Sequence, residues 1–317
     1  CRYREEQSPS LLLEANEFGS ILHASMEAIY RELTGSSDSG NTHTLIEPER
    51  IQEKLRTKGF VRRIVEEQYR EQLKLGGKKE LSGLGLIYCH SIEQYVRQIL
   101  ELDLTFAPFE YQESEKHHYT SFPLSNGERV YFGGIIDRVD KVGSRLRVVD
   151  YKTGSEETRM PKWDLLLDSK YKAILQTLIY CTFLAESGVP KDEIYPAIYM
   201  LRGDYGLMVK GKGYDPLVQL PLDTYGNSSN SPELPASPTL AQAPLSSEGN
   251  SAKGSGAKSP KKQKKLQTTL LSYAEAEAPF REVFIHGVLD ELYDASTPFA
   301  QTPKEENCRY CPFALSC

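Results

Sequence analysis

Long apolar runs are absent from this 317-residue sequence. None approaches the roughly 18 residues that cross a bilayer, which excludes a transmembrane helix. An apolar leader of the secretory kind is also missing from the opening residues. Excess positive charge is missing too: 38 Lys and Arg against 44 Asp and Glu leave a net charge of -6. Global attraction for a polyanion is therefore excluded, and only local basic patches could provide it. Cysteine is sparse, at six residues, and its placement argues against a disulfide framework. Cys308, Cys311 and Cys317 fall within ten residues, whereas Cys89 and Cys181 sit in apolar helical patterns and read as core thiols. What remains is the composition of an ordinary globular protein, long enough to bury a substantial core. A chain that opens on Cys1 and closes on Cys317 is expected to be a fragment of a longer polypeptide.

The most informative stretch runs from Gly133 to Gly154. Two runs rich in Val and Ile flank Gly143-Ser144, so the segment predicts a β-hairpin with a two-residue turn. With that turn Val142 faces Arg145, Asp140 faces Arg147 and Asp137 faces Asp150. Side chains two apart on a strand share a face, so Asp137, Asp150 and Lys152 are expected to crowd one patch. Asp and Lys on a strand commonly form only a solvated face. Opposed carboxylates, however, repel unless a proton or a cation sits between them. Oxygen ligands favour Mg²⁺ or Mn²⁺, and a neighbouring lysine can donate a proton or steady a developing anion. That set points to metal-assisted hydrolysis of a phosphate ester.

The rest of the chain predicts elements around this hairpin. A helix is expected over about Glu17 to Leu33, with His23 at the edge of its apolar stripe one turn after Gly19. Glu47 to Leu75 reads as one or two amphipathic helices, and Ile87 to Leu102 as another. Strands follow at Ser114 to Leu124, Arg129 to Asp140 and Leu146 to Thr153, a three-strand meander whose first turn holds Asn126-Gly127. Glu115 is a further candidate acid. A helix over Leu165 to Ser187 puts Gln176 and Tyr180 on one face. Ile194 to Arg202 is a strand that Pro196 assigns to an edge or a strand start, and Leu207 to Lys210 a short one. Residues from about Tyr225 to Thr268 are rich in Ser, Pro, Ala and Gly and nearly free of aromatics, so a disordered insertion is expected. A last helix is expected at about Pro279 to Tyr293. The closing cysteines, spaced C-x2-C-x5-C, supply three thiolates, and Cys1 is the obvious fourth for a site that clasps the ends together. Spacing does not separate zinc from iron–sulfur.

Taken together, the sequence resembles the PD-(D/E)XK nucleases, specifically the iron–sulfur RecB/AddB-like nuclease domains of recombination helicase–nucleases. The resemblance rests on residues 18–23, 134–140 and 150–154, on Gln176 with Tyr180, and on Cys1, Cys308, Cys311 and Cys317. It implies an α/β (α+β) restriction-endonuclease-like core, a mixed and mainly antiparallel sheet flanked by helices. It also implies that residues 1–317 form one nuclease domain.

By resemblance, His23, Asp137 and Asp150 are the metal ligands for Mg²⁺ or Mn²⁺, with the Tyr151 carbonyl contributing from the backbone. Lys152 is the catalytic lysine, Gln176 and Tyr180 position that lysine and DNA, and the four cysteines ligate a [4Fe–4S] cluster, with Zn²⁺ as the alternative. The implied activity is metal-dependent, exonucleolytic DNA cleavage in double-strand-break repair and recombination. The implied partners are DNA, a helicase-like region of the same full-length chain and a separate helicase subunit, in the cytoplasm and away from membranes. The competing expectations are a catalytically idle, nuclease-like DNA-binding scaffold and a zinc-clasped interaction module.

Overall fold

The computed structural model describes residues 13–35, 43–75, 81, 83–154, 156–201, 215–222, 268–298, 308 and 311. Helix α1 (Ala15–Thr34) starts where Glu17 reaches back to the Glu14 N–H at 2.9 Å and stops at Gly35, whose φ of 67° suits a residue without Cβ. Strand β1 (Thr44–Ile46) leads into α2 (Pro48–Arg56), α3 (Phe60–Gln72) and α4 (Gly83–Phe106). Then come β2 (Phe109–Pro123), β3 (Arg129–Val142) and β4 (Arg145–Lys152). After two short helical turns, α5 (Lys172–Glu186) returns the chain to β5 (Ile194–Met200). The strands form one sheet in the order β1-β2-β3-β4-β5, antiparallel except for the β4–β5 pair. Strands β6 (Gln219–Pro221) and β7 (Thr268–Leu270) make a separate ribbon ahead of α6 (Tyr273–Arg281), which continues as a π-helical stretch over Glu282–Leu289.

The expected hairpin register is observed: Val142 pairs with Arg145 and Asp140 with Arg147, and Gly143 takes a φ of 60° in the turn. The β2–β3 connection is longer than two residues, because Leu124 and Glu128 still share a hydrogen bond of 2.9 Å and Gly127, at φ 87°, closes a three-residue loop. Pro196 sits on the outermost strand, as its missing N–H requires, and its carbonyl accepts the Val218 N–H at 3.0 Å. Helix packing divides the core between the two faces of the sheet. Val139, Val148 and Ile198 meet α5, α6 and the π-helical stretch, while Val149, Tyr151, Ala197 and Tyr199 meet α1, α3 and α4.

Several boundaries differ from expectation. The helix read from Leu165 begins at Lys172, after Trp163–Leu165 and Ser169–Tyr171 make 3₁₀ turns. The last helix begins at Tyr273 rather than Pro279, because Glu275 caps the Ser272 N–H at 2.9 Å and Pro279 is carried inside the helix. The parallel β4–β5 pairing lies outside the meander expected, although a strand, a helix and a strand in succession are its usual signature. The segment Leu207 to Lys210 and residues 225–267 lie outside the described residues, while Thr268 belongs to β7.

Candidate active site

Three strands and two helices deliver the predicted residues to one region. The β2–β3 register sets Glu115 opposite Asp137, since Ser114 pairs with Arg138 and Lys116 with Ile136. From α1, His23 enters with its Nδ1 3.2 Å from Glu115 Oε1 and 3.4 Å from Asp137 Oδ1. One atom from each of the three lies within 4.8 Å of the others. Glu115 holds this place with a φ of 48°, a left-handed conformation rare for a residue with a Cβ and commonest where a structure spends strain on a site.

The hairpin ladder ends at Arg138 and Val149, one pair short of Asp137 and Asp150. Instead of its main chain, the Asp137 carboxylate takes the Tyr151 N–H, at 2.7 Å. This splays the strands where the two acids sit. Asp150 nevertheless acts on the charges of both Asp137 and His23. Lys152 Nζ lies 3.0 Å from Asp150 Oδ1 and 2.8 Å from Oδ2, and donates to Gln176 Oε1 at 2.9 Å. Gln176 in turn donates its Nε2 to the Tyr180 hydroxyl at 2.7 Å, which fixes the amide so that its oxygen faces the lysine. The helical spacing of Gln176 and Tyr180 thus reaches the lysine as a relay along α5. Gly134 makes room for this face of α5: a Cβ there would lie 2.9 Å from the Tyr180 ring.

Electrostatics follow from burial. Asp137 and Asp150 are 6% and 1% exposed. Burial raises the proton affinity of Asp137, His23 pulls it back, and Asp150 and Glu115 push it further up. Burial likewise raises Asp150, against the pull of Lys152. For His23 burial opposes the charge, but Asp137 and Glu115 outweigh it and push the imidazole up to about 9. Lys152 is also raised, because Asp150 overcomes the cost of burial. Three carboxylates therefore share one ammonium and one imidazole. The donor set suits a divalent cation that accepts oxygen and one nitrogen. Asp150 Oδ2, buried and without an aligned hydrogen bond, is a ready ligand atom.

Sequence reasoning missed the support beneath this site. Arg138, next to Asp137, is fully buried toward α1 and α4. Its Nη1 and Nη2 each lie 3.0 Å from an Asp103 oxygen, and its Nε is 2.9 Å from Asp140. The hydroxyls of Tyr30 and Tyr199 each accept from Arg138 and donate to Asp103. Tyr30 lies two turns after His23 on α1, so this network locks the helix that carries the histidine to the strand that carries the acid. An Arg directly after the first acid was the available signal.

The expected resemblance is supported by comparison. The profile of the PD-(D/E)XK nuclease superfamily matches residues 1–317. The chain belongs to the PD-(D/E)XK nuclease superfamily. Within this nuclease superfamily, the chain is also similar to one subunit of an ATP-dependent helicase/deoxyribonuclease from Acetivibrio thermocellus, at 33% identity over 102 residues. That match covers 30% of this chain and 8% of the relative, so the chain spans a small part of the relative's length. The observed five-stranded sheet between helices agrees with the restriction-endonuclease-like architecture expected. No helix among the described residues is long and apolar enough to cross a membrane.

Of the four cluster cysteines, Cys308 and Cys311 are described, and the Cys311 N–H donates to the Cys308 carbonyl at 3.1 Å in a tight turn. Cys1 and Cys317 lie outside the described residues. Cys89 and Cys181 are buried core thiols as expected, and burial pushes the Cys89 thiol up to about 11.

Proposed function

We propose that this nuclease-superfamily chain hydrolyses phosphodiester bonds of DNA with a divalent cation, exonucleolytically, as one domain of a helicase–nuclease in double-strand-break repair and recombination. The observation that carries the reading is the lysine clamped between Asp150 and Gln176 beside a His23–Glu115–Asp137 cluster of excess negative charge. A solvated strand face has no need to bury such a set. The relative's printed name, a helicase/deoxyribonuclease subunit, supports the choice of DNA and of a helicase region or subunit as partner.

In this reading His23, Asp137 and Asp150 hold Mg²⁺ or Mn²⁺, with Glu115 beside them and the Tyr151 carbonyl as a backbone ligand. A bound cation balances the carboxylates, acidifies water and neutralises phosphate charge. An ammonium has three donors. Asp150 and Gln176 engage Lys152 Nζ and keep it charged, leaving donor capacity for a phosphate oxygen or for orienting the attacking water. Gln176 holds the lysine, and Tyr180 holds the glutamine. Cys1, Cys308, Cys311 and Cys317 hold a [4Fe–4S] cluster in the same reading, a structural clasp between the ends of the domain.

End-labelled single- and double-stranded DNA tests the proposal. Asp150→Asn and Lys152→Ala should each lower Mg²⁺- or Mn²⁺-stimulated cleavage by at least about a hundredfold with the circular dichroism of the folded chain intact. Wild-type cleavage in either variant, with contaminating nuclease excluded, overturns it. Metal-independent DNA binding with no cleavage by the wild type would favour the idle scaffold. Visible absorption and iron content of anaerobically purified protein decide between the cluster and zinc.

A further inference from the structure

The face of the β2–β3 ribbon that carries Glu115 and Asp137 continues outward along the hairpin. Alternation places His117 and Ile135, then Tyr119 and Gly133, then Ser121 and Tyr131, on successive rungs of that face, with Arg129 beyond them. Tyr119 and Tyr131 are 76% and 80% exposed, and Ile135 is 37% exposed. The reverse face of the ribbon is packed: Gly134 lies under Tyr180 and Phe183, and Phe122 and Phe132 meet Phe284. Exposure is thus confined to the side that leads to the acids.

Tyr119 does not hang freely. A Cβ on Gly133 would lie 2.7 Å from its ring, so the ring rests over the glycine with its outer surface open. His117 stacks on it with ring planes within 9°. Tyr131 stands one rung diagonally onward, within reach of the same ligand. At the far end Arg129 donates only to the Ser121 hydroxyl and carbonyl, at 2.6 to 2.9 Å, so no carboxylate among the described residues pairs with its charge. Open aromatic faces in line with an unbalanced cation match a strand whose bases are unstacked and whose backbone is anionic. A duplex keeps its bases stacked inside and offers nothing for these rings to cover.

We propose that Tyr119 and Tyr131, with Arg129, form a stacking track that holds single-stranded DNA and leads it to the His23–Glu115–Asp137 cluster. This rests on the nuclease reading for the identity of the site and adds to it the form of the substrate. Continuity on one ribbon face is the reason for committing to nucleic acid rather than to a protein partner.

Fluorescence anisotropy of the 317-residue chain in EDTA, with labelled oligo-dT and a duplex of equal length, tests the track without cleavage. Tyr119→Ala and Tyr131→Ala should each weaken oligo-dT binding roughly tenfold, and Tyr119→Phe should bind as wild type because the ring is kept. Arg129→Gln should lower the slope of log affinity against log salt by about one, while the tyrosine variants leave the slope unchanged. Tyr293→Ala, an exposed tyrosine elsewhere, serves as the control. The proposal is overturned if the double Tyr119→Ala/Tyr131→Ala variant, folded by circular dichroism, binds oligo-dT as wild type, in which case the stripe is a protein-docking face. It is equally overturned if duplex binding falls as much as oligo-dT binding. Absence of cleavage in the separate metal-dependent assay would count against the nuclease reading while leaving this binding result standing.

Discussion

Asp137 and Arg138 are neighbours on one strand, yet they anchor charge clusters of opposite character. Around Arg138 two guanidiniums, Arg138 and Arg147, meet two carboxylates, Asp103 and Asp140, and Arg147 grips Asp140 through two hydrogen bonds of 2.6 and 2.8 Å. That cluster is balanced by the chain's own side chains. Around Asp137 the carboxylates outnumber their cationic partners, and burial drives them toward protonation. A buried group balanced from within serves the fold, whereas one left in excess is held ready for something from outside.

The contrast is sharpest under mutation. Arg138→Met leaves Asp103 and Asp140 buried without their main partner, and a loss of about 3–5 kcal/mol in chemical denaturation is expected. Mn²⁺ at a hundred times its dissociation constant should stabilise the wild type by about 2.7 kcal/mol, read as a thermal shift reversed by EDTA. Asp137→Asn should erase that shift, and an unaltered shift would remove Asp137 from the ligands. Tyr30→Phe deletes one hydroxyl from the balanced cluster and should cost about 1–2 kcal/mol. It should also weaken Mn²⁺ binding by loosening the helix that carries His23, and unchanged metal affinity would separate the two clusters. In metal-free protein Asp137→Asn should act in the opposite direction to Arg138→Met, adding about 1 kcal/mol by relieving like charge.

The smallest effect comes from a third carboxylate. The Ser125 hydroxyl, at 2.6 Å, and the Ser125 N–H, at 2.8 Å, hold Asp290 down to about 2. A depressed carboxylate contributes stability above its unfolded value of about 4 and loses it as pH falls toward 2. The thermal midpoints of wild type and Asp290→Asn should therefore differ at pH 6 and converge below pH 3. A constant difference would mean that the contact between the hairpin loop and the last helix is not electrostatic.

Much of the site was legible because strands and helices impose short periods. Two-residue alternation with a Gly143-Ser144 turn placed Asp140 against Arg147, and four-residue spacing put Gln176 and Tyr180 on one side of α5. Those periods also separate the faces of the β2–β3 ribbon. They fail where the strand stops being regular. The ladder breaks at Asp137, and Glu115 adopts a left-handed backbone, so the carboxylates meet by a local distortion that no alternation rule encodes.

By itself the sequence determined the local elements, the hairpin register and the kinds of donor the site contains, because each depends on residues close together in the chain. Only the tertiary structure decided that His23 arrives from α1 beside Glu115, that β5 joins in parallel, and that Asp103, Tyr30 and Tyr199 enclose Arg138. Such contacts join residues as many as 108 positions apart. Burial makes them selective: away from water an unpaired charge is too costly to keep, so packing settles which charges are paired within the fold and which are left for a ligand.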